Sequence, residues 1–196
     1  MSAKCVVLFI ALLIVFSCAG KKGRVEKNAK SVSTESIVQS NVKTQLAFLL
    51  DRRQYDEALN LITWDIKGGK DELIYANEYS RAINGLIFQG KKHLGSGEYE
   101  KSGSVFRRVL DDLPKNILLQ NKVVGKKEKI KGYILLSSEK LMEKGLEMYR
   151  EGNLGEAVFI WKKILKFNPD FAEAKRAIET ASIQIDSLNS FEKENH

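Results

Sequence analysis

Two kinds of apolar patterning divide the chain. An unbroken apolar run extends from Cys5 to Phe16, directly after a single lysine. Far downstream, from Phe171 to about Leu188, apolar residues instead recur at the three- and four-residue spacing of one helix face. The chain has only two prolines to interrupt helices. The pattern therefore predicts an all-α body behind a short apolar leader.

The leader has the layout of a secretory signal peptide. The run from Cys5 to Phe16 is 12 residues long, and a helix of that length rises only about 18 Å. A bilayer core is about 30 Å thick, so a stable span is the weaker interpretation. We assign residues 1–17 to the signal peptide.

The leader ends in Val15-Phe16-Ser17-Cys18, which resembles the lipobox of bacterial lipoproteins. Phe16 is bulkier than the usual residue, as in the looser boxes of spirochaete lipoproteins. The resemblance implies cleavage before Cys18 and acylation of that cysteine, and therefore a palmitate-type membrane anchor. The alternative is an ordinary signal peptide cut elsewhere. Two or three acyl chains would anchor the protein stably.

Residues 18–34 form a predicted flexible tether, because they are polar and lysine-rich and lack an apolar period. Its basic side chains either rest on anionic head groups or only keep the tether solvated. The whole chain carries a formal charge of +7. Removal of Lys4 with the leader leaves about +6, from 31 basic and 25 acidic residues.

Landmark residues recur 55 positions apart in the body. The first member of each pair, counted back from Pro114, stands at the same distance as the second member counted back from Pro169. The pairs are Leu86 and Leu141, Gly90 and Gly145, Gly97 and Gly152, Ser102 and Ala157, Phe106 and Trp161, and Pro114 and Pro169. Internal repetition of this kind indicates stacked supersecondary units.

The landmarks resemble those of the tetratricopeptide repeat, a 34-residue helix–turn–helix unit. The resemblance implies glycines where helices approach closely or turn, small residues at the crossing, and large apolar plugs at Phe106 and Trp161. It predicts a short solenoid over 35–190. Its repeats fall at about 38–67 (degenerate), 83–116 and 138–171, with an insertion at about 117–137, a capping helix after Pro169 and a frayed tail at 191–196.

The insertion is either an extended helix or an extra turn before the third repeat. In the family, first helices line a concave groove that binds a partner. The matching positions here are Asn84, Ile87, Lys91, Leu94, Glu139, Met142, Leu146 and Tyr149. Such a mixed apolar surface would suit an extended peptide or a helix. The alternative for each apolar position is ordinary packing against a neighbouring helix.

Candidate chemistry is sparse. His93 and the terminal His196 are the only histidines, and neither cysteine lies in the body. The sequence has no zinc or calcium motif, so we expect no catalytic residue, metal or cofactor. The lysines of 122–131 are interpreted first as a solvated face and second as a docking patch for an acidic partner or the membrane. Nucleic acid is an unexpected partner for an exported protein.

These features favour a lipid-anchored scaffold that binds an envelope protein or peptide, with outer-membrane protein assembly as one role. Ala19 after the cysteine is not the aspartate that retains some lipoproteins in the inner membrane. The expected location is therefore the outer membrane, facing the periplasm or the surface. Alternatives are a small-ligand or peptidoglycan-binding module and an unrecognised enzyme. The oligomeric state is left open.

Overall fold

The body is built from α-helices. The computed structural model describes the backbone of residues 34–194 and the side chains of 41–191, so the signal peptide, Cys18 and all of the tether but its last residue lie outside the described residues. The helices are α1 (Thr34–Asp51), α2 (Tyr55–Lys67), α3 (Ala76–Gly95), α4 (Tyr99–Asp111), α5 (Ile117–Gln120), α6 (Lys127–Arg150), α7 (Leu154–Phe167) and α8 (Ala172–Glu194), with a 3₁₀ turn at Glu72–Tyr75. The described part of the chain contains no strand, which confirms the all-α prediction.

Consecutive helices pack against each other in pairs. Three-residue turns join α1 to α2, α3 to α4, and α6 to α7, and the two helices of each pair are in contact. Across the pairs, α2 contacts α3, α4 contacts both α6 and α7, and α8 covers α7. A connection this short forces neighbouring helices to run in opposite directions. The two helices of each pair therefore run in opposite directions.

The three short turns share one backbone geometry. The second residue after each first helix has a positive φ: 58° at Arg53, 72° at Gly97 and 82° at Gly152. In each turn this residue donates its N–H to the carbonyl three positions earlier, and the next residue donates to the carbonyl five positions earlier. These are the paired bonds of a Schellman motif, which closes a helix with a left-handed residue.

Arg53 occupies a left-handed position that glycine takes in the other two turns. A side chain with a Cβ is strained there by about 1–2 kcal/mol, whereas glycine mainly adds flexibility to the unfolded chain. We expect Arg53→Gly to raise the free energy of unfolding by about 0.5–1 kcal/mol, measured by urea denaturation. Arg52→Gly is the matched control and should not stabilise the protein. Equal effects of the two changes would contradict the strain argument.

In two of the helix pairs, a large apolar side chain on the second helix fills the space that a glycine leaves on the first. The ring of Phe106 lies against Gly90, where an added Cβ would come within 2.9 Å of Cζ. An added Cβ on Gly145 would lie 2.6 Å from Cδ1 of Trp161. Phe106 and Trp161 are 0% and 1% exposed. The glycines therefore permit close helix approach because a ring occupies the position of their missing side chain.

Small residues complete the crossings between paired helices. Ser102 and Ala157 are buried, and Ser102 Oγ donates a hydrogen bond to the carbonyl of Gly90 at 3.1 Å. Helix α4 ends three residues before Pro114, and α7 ends two residues before Pro169. Gly103 on α4 also lies against the ring of Phe167 on α7. The sequence pattern did not single out Gly103.

The predicted insertion contains both an extra turn and an extended helix, the two alternatives considered for it. Residues 117–120 form the short helix α5, and residues 127–137 lengthen the first helix of the third pair to 24 residues. Asn116 caps α5 by accepting a hydrogen bond from the N–H of Leu118. Leu119, which is 1% exposed, fixes the short helix to the core. The surplus chain is thus a packed part of the fold.

The C-terminal helix is longer than expected. Helix α8 extends to Glu194, whereas the pattern had assigned 191–196 to a frayed tail. Helix α8 thus includes residues 191–194, and fraying of its end stays a prediction. No glycine or proline follows Pro169, and Glu192, Lys193 and Glu194 are good helix formers. None of the described helices is both long and apolar enough to cross a bilayer.

Candidate functional site

The insertion covers part of the predicted partner groove. Asn84 on α3 accepts a hydrogen bond from the N–H of Val124 at 2.8 Å and donates to the carbonyl of Lys122 at 3.0 Å. Ile87 is 3% exposed and lies beside Gly125. These two residues therefore make internal contacts in this structure, and that they bind a partner stays a prediction. Residues 122–125 of the insertion lie against this face of α3.

The remaining predicted positions on α3 are only partly available. Lys91 is exposed, and its ammonium group lies 5.7 Å from the centre of the Tyr133 ring on α6. That ring is stacked on Phe106, with centroids 4.6 Å apart. Leu94 is half-buried. The first helix of this pair therefore offers a narrow polar edge in place of an open groove.

Helix α6 presents a more continuous surface. Glu139 and Leu146 are exposed, while Met142 and Tyr149 are half-buried. Tyr149 rests against Trp161 with ring centroids 6.0 Å apart. Leu135, which is 46% exposed, continues the same spacing of four and three residues. We call these five residues, 135, 139, 142, 146 and 149, the α6 stripe. The sequence analysis missed Leu135 because it counted the position as part of the insertion.

A groove lies at the end of the body formed by the insertion. It has a volume of about 690 Å³ and runs between the end of α4, α5 and the start of α6. Leu110, Leu113 and Val123 form part of its apolar lining, and Lys115, Lys126 and Lys127 part of its polar lining. A second recess of about 420 Å³, lined in part by Gly152 and Leu188, is shallower and more open to solvent. Lys126 and Lys127 belong to the basic run that the sequence pattern indicated, whereas Lys115 and the groove itself were not predicted.

Two buried tyrosines fix the helices that support the insertion. Tyr75 donates a hydrogen bond to the carboxylate of Asp65, and Tyr79 donates to the carbonyl of Asp112 at 2.9 Å. Burial, with a smaller contribution from nearby carboxylates, raises the pKa of each tyrosine to about 12. Both hydroxyls are therefore neutral donors at physiological pH. They tie α2 and α4 to the start of α3.

His93, Glu98 and Lys101 form a small charged cluster at the turn between α3 and α4. His93 is partly exposed, and its Nδ1 lies 2.6 Å from Oε2 of Glu98. The hydrogen bonds from Lys101 and His93 lower the pKa of the Glu98 carboxyl. Among the described residues, no three His, Cys, Asp or Glu side chains are grouped so that they could hold a metal ion. The arrangement at His93 joins the end of α3 to the start of α4.

Comparison with protein-family models, curated proteins and solved structures finds no match to this chain. The geometry of the described residues is therefore the basis for the functional argument.

Proposed function

We propose that this protein is a lipid-anchored scaffold of the bacterial envelope that binds a protein or peptide partner through a short tetratricopeptide-type solenoid. The lipobox-like residues before Cys18 support the anchor. Three helix pairs with the same Schellman turn support the repeat architecture. We place the anchored body at the outer membrane, where a role in protein assembly fits a binding protein without catalytic groups.

The α6 stripe is the observation that carries the binding proposal. Residues spaced by four and three positions share one helix face, and Leu135 and Leu146 are 46% and 38% exposed. The Tyr149 ring packs against Trp161, and the backbone carbonyl of Met142 accepts a hydrogen bond from the Trp161 indole N–H at 3.4 Å. A supported, half-apolar helix face of this kind suits the apolar side of a partner helix. Glu139, in the middle, would favour a basic residue on the partner.

Site-specific photo-cross-linking in the bacterial host tests this surface. A benzoylphenylalanine at position 146 should give one discrete adduct with an envelope protein, because the stripe contacts the partner. The same group at Ile183 on α8, which is 61% exposed, is the matched control and should give little adduct. Adding Leu135→Glu should remove the adduct at 146, because it places a charge in the apolar contact.

Three outcomes would count against the scaffold. Equal adducts at 146 and 183 would indicate random collision. An adduct that persists with Leu135→Glu would place the contact outside the stripe. Absence of any adduct, combined with tight binding of muropeptides to the purified chain, would favour the alternative of a peptidoglycan-binding module.

A further inference from the structure

The insertion lies at the same end of the body as the start of α1. Because the two helices of each pair run in opposite directions, the start of α1, the end of α2, the start of α3, the end of α4 and the start of α6 share one end. Direct contacts join these segments. The N–H of Asn116 donates to Glu72 at 2.5 Å, and Lys122 Nζ donates to Asn77 at 3.2 Å. We call residues 113–131 at this end the basic corner.

The positive charge of the body is concentrated in the basic corner. Residues 113–131 contain six lysines and one glutamate, a net charge of +5. Residues 34–196 as a whole have 26 basic and 24 acidic residues, a net charge of +2. The rest of that stretch is therefore −3. The field of the body is thus strongly polarised toward one end.

The lysines of the basic corner are available to an external anion. None of the six forms an ion pair with a carboxylate in the described part of the chain, although Lys122 donates a hydrogen bond to Asn77. All six are exposed: Lys115, Lys122, Lys126, Lys127, Lys129 and Lys131. The lysines that have a carboxylate within 2.5–2.8 Å, Lys101, Lys140 and Lys166, all lie outside the corner. The corner therefore carries positive charge that the protein does not neutralise.

Large apolar side chains project between these lysines. Ile117, Leu118 and Val124 are 64%, 62% and 71% exposed. Leu119, between them, is buried and holds α5 in place. Two interactions bring proteins to anionic bilayers: burial of apolar area and attraction between opposite charges. Exposed apolar side chains surrounded by lysines can make both.

The chain that precedes α1 limits how far this end can be from the predicted anchor. Fifteen residues separate Cys18 from Thr34, and even fully extended they span only about 50 Å. These fifteen residues contain five basic residues and one acidic residue. A lipid on Cys18 would therefore keep the start of α1 within about 50 Å of the anchor.

We propose that the basic corner is a second membrane contact, which binds the anionic head groups of a lipid surface and inserts Ile117, Leu118 and Val124 among them. This contact orients the body so that the opposite end points away from the bilayer. The orientation of the body rests on the proposed anchor at Cys18, whereas the affinity of the basic corner for lipid does not. The groove of about 690 Å³ beside Lys115, Lys126 and Lys127 gives head groups a place among the lysines.

A single fluorescent label can test the corner in the full chain. The chain has only two cysteines, Cys5 and Cys18, so replacing both with serine leaves Val124→Cys as the one site for an environment-sensitive NBD dye. The apolar leader can itself bring the chain to vesicles, and the readout must therefore be local. The matched control is Ser96→Cys, just past the end of α3 and about 18 Å along the helix axis from Asn84, the residue that Val124 contacts.

The dye at position 124 should shift to the blue with phosphatidylcholine vesicles that contain about 30% phosphatidylglycerol, because anionic lipid attracts the corner. Pure phosphatidylcholine should give a much smaller shift, and about 1 M salt should weaken the response, since the Debye length falls to about 3 Å. The dye at position 96 should remain in water. Changing Lys115, Lys126, Lys127 and Lys129 to glutamine should weaken the response by about fivefold per lysine.

A charge-matched control changes four exposed lysines outside the corner: Lys43, Lys92, Lys144 and Lys162. It should leave the response at position 124 intact. The proposal is overturned by an unshifted dye at 124 on vesicle-bound chain, by equal shifts at 124 and 96, or by equal losses in the two lysine variants. A shift at 124 with an acidic peptide but not with anionic vesicles would also overturn it, in favour of a protein ligand. The photo-adduct at position 146 is independent of these results, so failure of the corner is distinguishable from failure of the scaffold.

Discussion

Trp161→Ala should lower the free energy of unfolding by about 3–5 kcal/mol, the usual range for truncating a buried aromatic side chain. Trp161 is 1% exposed, packs against Gly145 and the Tyr149 ring, and points its indole N–H at the Met142 carbonyl, 3.4 Å away. Neighbouring helices cannot close the space without moving, since Gly145 has no side chain to fill it. Urea unfolding followed by far-UV circular dichroism measures the loss.

Trp64→Ala is the control for this experiment. Trp64 and Trp161 are the only tryptophans in the chain, and Trp64 is 71% exposed. Its removal should change stability by less than about 1 kcal/mol, as at most surface sites. If Trp161→Ala cost no more than Trp64→Ala, the role of Trp161 as the plug between α6 and α7 would be wrong.

Cys18→Ser should abolish incorporation of labelled palmitate and release the protein from the membrane fraction. The expectation follows from the proposed lipobox, because the thiol of Cys18 is the atom that would be acylated. Loss of two or three acyl chains removes the stable part of the attachment, and the basic corner alone would leave a weak, salt-sensitive association. Metabolic labelling and fractionation at low and high salt measure both effects.

Cys5→Ser provides the matched control, since Cys5 lies inside the apolar run that the lipobox model removes. It should leave labelling and membrane attachment unchanged. Labelling that survives Cys18→Ser, or that disappears equally with Cys5→Ser, would favour an ordinary signal peptide with another cleavage site.

The insertion has two consequences for how a partner could bind. It places residues 122–125 against Asn84 and Ile87, on the face of α3 that was predicted to bind a partner. By lengthening α6 at its N-terminal end, it also adds Leu135 to the exposed stripe. A partner on the α6 stripe and a membrane at the basic corner would contact different residues, since the corner ends at residue 131 and the stripe begins at residue 135. The body could therefore hold both at once.

Much of the helical architecture could be predicted from the sequence alone. The 55-residue offset marked Gly90 and Gly145 as points of close helix approach and Phe106 and Trp161 as large apolar plugs, and in the structure each ring packs on its glycine. Gly97 and Gly152 likewise fall at left-handed turn positions. These features were predictable because each depends on contacts within one pair of helices, where sequence separation fixes which side chains meet.

The contacts between distant segments were decided only by tertiary structure. Whether Asn84 faces solvent or the insertion depends on where a loop forty residues later folds back, and periodicity carries no information about that path. Arg53 has a left-handed conformation that the packing of α1 and α2 imposes against its own preference. The sequence by itself determined the helices of the body and their pairing, and it predicts the leader and the lipobox-like cysteine. Only the packing of helix pairs decided which surfaces remain open, because exposure depends on every segment that approaches a residue.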